Sequence, residues 1–60
     1  MRIALNNNYI EEVNHISTNG YFIFVNGTTY IMKNENEGYE LYNQMLRDGY
    51  IDLSNYERGD

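Results

Sequence analysis

The sequence predicts an α+β fold: a three- or four-stranded antiparallel β-meander with one C-terminal α-helix packed on one face. Three observations carry this. Two apolar runs, Tyr21–Val25 and Thr28–Met32, flank Asn26-Gly27. That dipeptide marks a tight hairpin, because both central residues of a type I′ turn need positive φ. Further on, Gly38, Leu41, Tyr42, Met45 and Leu46 recur at helical spacing. Finally, 60 residues are one domain, with residues 54–60 as a polar tail.

In chain order, Arg2 to Leu5 is read as a short edge strand and Asn6-Asn7-Asn8 as a polar turn. Tyr9 to Thr18 is read as a strand. Asn19-Gly20 supplies a second turn signal. As a two-residue turn it places Ile16 opposite Ile23 and His15 opposite Phe24.

The Asn26-Gly27 turn sets the register of the central hairpin. Val25 faces Thr28, Phe24 faces Thr29, Ile23 faces Tyr30 and Phe22 faces Ile31. Alternation then sorts the side chains onto two faces. One carries Phe22, Phe24, Thr29 and Ile31; the other carries Tyr21, Ile23, Val25, Tyr30 and Met32. Both are apolar, although an antiparallel sheet commonly has one wet side. The face assigned to the core is Phe22, Phe24 and Ile31, packed by Leu41, Tyr42, Met45 and Leu46, with Ile51 or Leu53 closing an edge. The second face, with Tyr21, Ile23, Val25 and Tyr30, is expected to meet a second copy of the chain or another protein. Its alternative cover is the N-terminal segment with Ile3, Leu5 and Ile10.

A helix is predicted over Glu35 to Asp48. Asn34 is a good N-cap, and Glu37 stands three residues later as in a capping box. Glu35, Glu37 and Glu40 lie near the positive end of the helix dipole and Arg47 near the negative end. Gly49 suits the left-handed position after the last turn. Gly38 costs about 1 kcal/mol in a helix relative to Ala, so its expected use is a close approach of helix to sheet. Tyr50-Ile51-Asp52-Leu53 alternates, as in a short strand or a packed tail.

Composition excludes several functions. There is no cysteine and a single histidine, so no disulfide, thiolate or His-cluster metal site can form. Neither a cofactor nor a metal is expected. A chain of this size buries only about 60% of its unfolded surface, which makes self-association a natural staple. The net charge is −5, against the basic footprint of a nucleic-acid binder and against anionic membranes. No run approaches membrane-spanning length, and Met1 to Tyr9 lacks the charge and apolar run of a signal peptide. The expected location is the cytoplasm.

Candidate chemistry is sparse. Glu11, His15 and Ser17 lie on one side of the expected second strand, but alternate strand residues are about 7 Å apart, beyond hydrogen-bond reach. Asn26-Gly27-Thr28 matches a glycosylation sequon, which the turn already explains. Arg58-Gly59-Asp60 matches an integrin-recognition tripeptide and is read as chance at a frayed end. No nucleophile–base pair or metal constellation assembles, so no enzyme is expected.

What remains is acid on a rigid support. Glu35, Glu37, Glu40 and Asp48 lie on the helix, Asp52 follows it, and Tyr39 and Asn43 lie between them. Such spaced carboxylates suit a basic surface on a partner protein. The stretch from Thr28 to Tyr50, TTYIMKNENEGYELYNQMLRDGY, resembles in rhythm small acidic phage-encoded inhibitors of host nucleic-acid enzymes, including anti-CRISPR proteins. The resemblance implies competition with DNA or guide RNA for a basic groove. The expected function is thus a non-enzymatic inhibitor or adaptor. The alternative is a structural or oligomerisation module using the second sheet face.

Overall fold

In the computed structural model, which describes residues 1–59, one helix and seven strands follow in the order β1 (Ile3–Asn6), β2 (Tyr9–Glu12), β3 (Ile16–Thr18), β4 (Phe22–Val25), β5 (Thr28–Ile31), α1 (Glu35–Asp48), β6 (Tyr50–Asp52) and β7 (Glu57–Arg58). Asp60, last residue of the expected tail and of the Arg-Gly-Asp triplet, lies outside the described residues.

The central hairpin forms as its turn requires. Asn26 and Gly27 take φ of 51° and 88°, and Phe22↔Ile31, Ile23↔Tyr30, Phe24↔Thr29 and Val25↔Thr28 pair across β4 and β5. The helix also keeps its expected bounds. The Asn34 side chain accepts from the Glu37 amide at 3.0 Å. The Glu37 carboxylate reaches back to the Lys33 amide at 2.7 Å, one residue earlier than in a standard capping box. Gly49 is left-handed, and its N–H closes on the Met45 carbonyl.

The strands divide into two sheets, ordered β2-β1-β6 and β3-β4-β5-β7. The meander is therefore β3-β4-β5. The N-terminal residues form a separate hairpin, turning at Asn7 with φ 57°, and β1 also pairs in parallel with β6. The stretch read as one strand, Tyr9 to Thr18, is broken over residues 13–15. The β3–β4 register is Ile16↔Val25, Ser17↔Phe24 and Thr18↔Ile23, two residues away from the expected one. The turn is longer because the Asn19 side chain accepts from both the Tyr21 and Phe22 amides, at 3.1 and 3.0 Å. A shift of two keeps every side chain on its expected face.

The core lies on the other side of the hairpin from the one expected. Ile23, Val25, Tyr30 and Met32 are buried with Ala4, Val13, Leu41, Met45, Ile51 and Leu53. Phe22, Phe24 and Ile31 remain 36–37% exposed. Leu41 and Met45 take their expected places, Tyr42 is half-buried, and Leu46 is 58% exposed. The cover over Ile23 and Val25 is the first sheet together with the helix. It comes through Ala4, Val13 and Ile51, whereas Ile10 is 67% exposed and Ile3 and Leu5 are half-buried. Fully burying a side chain such as Ile23 or Leu53 contributes about 1.5–3 kcal/mol.

One buried polar contact joins the sheets: the Asn6 amide donates to the Tyr30 hydroxyl at 2.7 Å. The expected polar tail is ordered over Ser54–Gly59. Tyr56 packs on the core, β7 pairs with β5, and the Gly59 amide donates to the Thr29 carbonyl.

Candidate interaction surface

Alternation in β4 and β5 that buries Ile23, Val25 and Tyr30 turns Phe22, Phe24, Thr29 and Ile31 outward. Ser17 lies beside Phe24, and Glu57 beside Ile31. The Phe22 and Phe24 ring centroids are 6.4 Å apart, within contact range for aromatic pairs. This face is an apolar centre edged by Ser17, Thr29 and the charged Glu57.

At the β5 end the apolar face runs into a cleft of about 280 Å³ lined by Ile31, Met32, Lys33, Asn55, Tyr56 and Glu57. The Tyr56 hydroxyl donates to the Glu37 carboxylate at 2.9 Å. Burial first, and then that hydrogen bond and the charges of Glu37, Glu40 and Asp52, push the Tyr56 phenol up to about 12. Tyr56 therefore marks where the acidic side of the helix meets the apolar face. Sequence reading missed it because a lone aromatic among Ser, Asn and Glu looks like solvated tail.

The expected acidic residues divide around α1. At 3.6 residues per turn, Glu37, Glu40 and Asp48 fall on one flank of the buried stripe of Gly38, Leu41 and Met45. Glu35, Tyr39 and Asn43 fall on the other. Asp48 is paired with Arg47 at 3.0 Å, which raises the guanidinium through their hydrogen bond and then their charges. Tyr39 is committed to the fold, its hydroxyl donating to the Asn19 carbonyl at 3.2 Å. Asp52 accepts from the Ser54 amide at 2.9 Å. The Ser54 backbone and then side-chain hydrogen bonds hold its carboxyl below the usual range. Glu37, Glu40 and Asp52 thus gather about Tyr56, while Glu35 and Asn43 stand apart.

Of the residues expected at an oligomer interface, Ile23, Val25 and Tyr30 are core, between 0 and 1% exposed, and present no surface. Tyr21 alone of the four is exposed, at 54%. The apolar surface that is open belongs to the opposite face.

Glu11, His15 and Ser17 do not share a strand, since residues 13–15 break it. The connection is clamped by Asn26 instead. Its side-chain oxygen accepts from the Asn14 and His15 amides at 2.8 and 3.1 Å. Its nitrogen donates to Glu12 O at 2.7 Å and to Glu11 Oε2 at 3.1 Å. The sequon nitrogen is thereby engaged within the fold. Among the described residues, no group of three or more His, Asp or Glu is placed to hold a metal ion, and no helix is long and apolar enough to cross a membrane.

No family model matches the chain, and neither a curated protein nor a solved structure matches it.

Proposed function

We propose that this chain is a protein-binding inhibitor or adaptor that works without catalysis. It presents Phe22, Phe24 and Ile31 to a partner whose apolar patch is edged by Lys and Arg. The observation that carries this reading is the continuity of the open apolar face, through the Tyr56 cleft, with the acidic margin of Glu37, Glu40 and Asp52. Interfaces commonly combine an apolar centre with a polar rim, and charge complementarity chooses the partner and speeds encounter. The net charge of −5 favours a basic partner over a second copy of the chain. A phage-encoded inhibitor of a nucleic-acid-handling host enzyme, acting in the host cytoplasm, is the specific form suggested by the resemblance of Thr28 to Tyr50.

The test is affinity capture at low salt with the wild-type chain and two surface variants, Phe24→Lys and Glu40→Lys. A basic protein held by the wild type, released by salt and lost with both variants supports the reading. Equal capture by all three chains overturns it. Sedimentation at high concentration is the companion measurement, since a dimer dissociated by Phe24→Lys would assign the face to a second copy.

A further inference from the structure

The chain holds two Asn-Gly dipeptides, Asn19-Gly20 and Asn26-Gly27, and the fold treats their side chains differently. In any Asn-Gly, the glycine nitrogen can attack the asparagine side-chain carbonyl, because no side chain on the following residue obstructs the five-membered ring. The two reacting atoms are already linked, so their geometry governs the rate.

Both amide atoms of Asn26 are tied down. The oxygen accepts from the Asn14 and His15 amides, and the nitrogen donates to Glu12 O and Glu11 Oε2. Swinging the side chain onto the Gly27 nitrogen requires giving up these bonds, so reaction waits on local opening. The Asn19 side chain is exposed and, among the described residues, is held through its oxygen, by the Tyr21 and Phe22 amides, while its main chain bonds to Tyr39 and Phe22. Two N–H donors bind the carbonyl oxygen at both sites, so what separates Asn26 from Asn19 is the side-chain nitrogen, which at Asn26 donates to Glu12 O and Glu11 Oε2. The Gly20 amide donates to the Thr18 hydroxyl oxygen at 2.9 Å, a single bond that the attacking nitrogen gives up as its proton passes to hydroxide. That hydroxyl donates in turn to the Phe22 carbonyl at 2.6 Å.

We propose that Asn19 is a built-in site of spontaneous deamidation, and that the same chemistry at Asn26 is suppressed by its clamp. The Gly20 nitrogen forms a bond to Asn19 Cγ and loses its proton. The tetrahedral intermediate expels Nδ2, which leaves protonated as ammonia, and a succinimide remains. Water then adds to either ring carbonyl and opens the ring to aspartate or isoaspartate. One water is consumed and one ammonia released, with no oxidant or reductant.

The position gives the change a consequence. The Gly20 carbonyl accepts from the Gly38 amide at 3.1 Å, and a Cβ on Gly20 would lie 2.5 Å from Glu35 Cγ. An isoaspartate lengthens the main chain by a methylene beside a junction with no spare room. Aspartate at position 19 keeps the two accepted hydrogen bonds and adds a negative charge near the start of α1. Ageing at this one residue thus loosens or retains the helix contact according to which product forms.

The experiment is a time course of the full chain at mildly alkaline pH, folded and in urea, with peptide mapping of each site. In urea the two sites should deamidate at similar rates. In the folded chain Asn26 should be at least roughly tenfold slower than in urea, as expected for reaction through a rarely opened state. Asn19 should be slowed less than Asn26, although Gly20 is itself buried and bonded to Thr18 and Gly38, and should give the first deamidated species. Asn19→Gln should remove that species and leave the Asn26 rate unchanged. Comparable protection at both sites, or faster reaction at Asn26, would overturn the proposal.

Discussion

The Gly38 amide donates to the Gly20 carbonyl at 3.1 Å, and this pair of glycines joins the first turn of α1 to the β3–β4 turn. A Cβ on Gly38 would overlap the Gly20 carbonyl oxygen and lie 2.7 Å from Thr18 Oγ1. Gly38→Ala should therefore destabilise the protein although alanine is the better helix former. Overpacking costs about 1–3 kcal/mol and the propensity gain is about 1 kcal/mol. The overlap is with backbone, which cannot swing aside, so the net change in urea unfolding should be a loss of about 1–2 kcal/mol.

Asn26 should matter far more than a replaceable turn residue. Asn26→Ala strips partners from the Asn14 and His15 amides and from the Glu12 carbonyl. A loss of about 1–3 kcal/mol is expected, from three exposed hydrogen bonds that each contribute about 0.5–1.5 kcal/mol when exchanged for water. Asn26→Gly keeps the positive φ and should be nearly as damaging. That outcome in denaturant titrations separates the clamp from the turn.

The polar contact between the sheets gives a third expectation. Tyr30→Phe leaves the buried Asn6 amide without its 2.7 Å acceptor. The unsatisfied donor should cost about 1–3 kcal/mol with the fold retained, read from thermal unfolding and an unchanged far-ultraviolet spectrum.

Alkaline pH should act through Tyr56. Its folded-state value is raised to about 12 against roughly 10 in an unfolded chain. The unfolded chain therefore releases this proton first. The associated stability is complete below about pH 10 and is lost as pH rises towards 12, by linkage. Partial exposure screens the effect to the order of 1 kcal/mol. Tyr56→Phe should flatten that part of the wild-type pH profile, measured as the difference between the two chains.

The helix was legible almost residue by residue, because Asn34, Glu37 and Gly49 are local signals that act within one turn. The central register was equally legible from Asn26-Gly27. What failed was the choice of face. Both sides of the hairpin are apolar, and two phenylalanines outweighed Ile23, Val25, Tyr30 and Met32 in the reading. The neighbouring strands held the missing signal: Ser17 and Thr29 flank Phe24, whereas Ile16 and Thr18 lie on the side of Val25 and Ile23. The parallel pairing of β1 with β6 was hidden for a different reason. It joins Ile3 to Tyr50 across most of the chain, and nothing local to either segment marks its partner. The candidate surface followed the same division: the acids at Glu37, Glu40 and Asp52 were visible, while the packing of Tyr56 and the outward aim of Phe22, Phe24 and Ile31 were not.

The face inversion and the proposed binding surface meet in one measurement, methyl NMR of the chain titrated with its captured partner. Ile31 lies on the open face, Ile23 in the core, and Ile10 on the exposed strand of the other sheet. The Ile31 methyl signals should shift on binding, with those of Ile23 and Ile10 nearly still. Shifts at Ile10 with Ile31 unmoved would contradict the account.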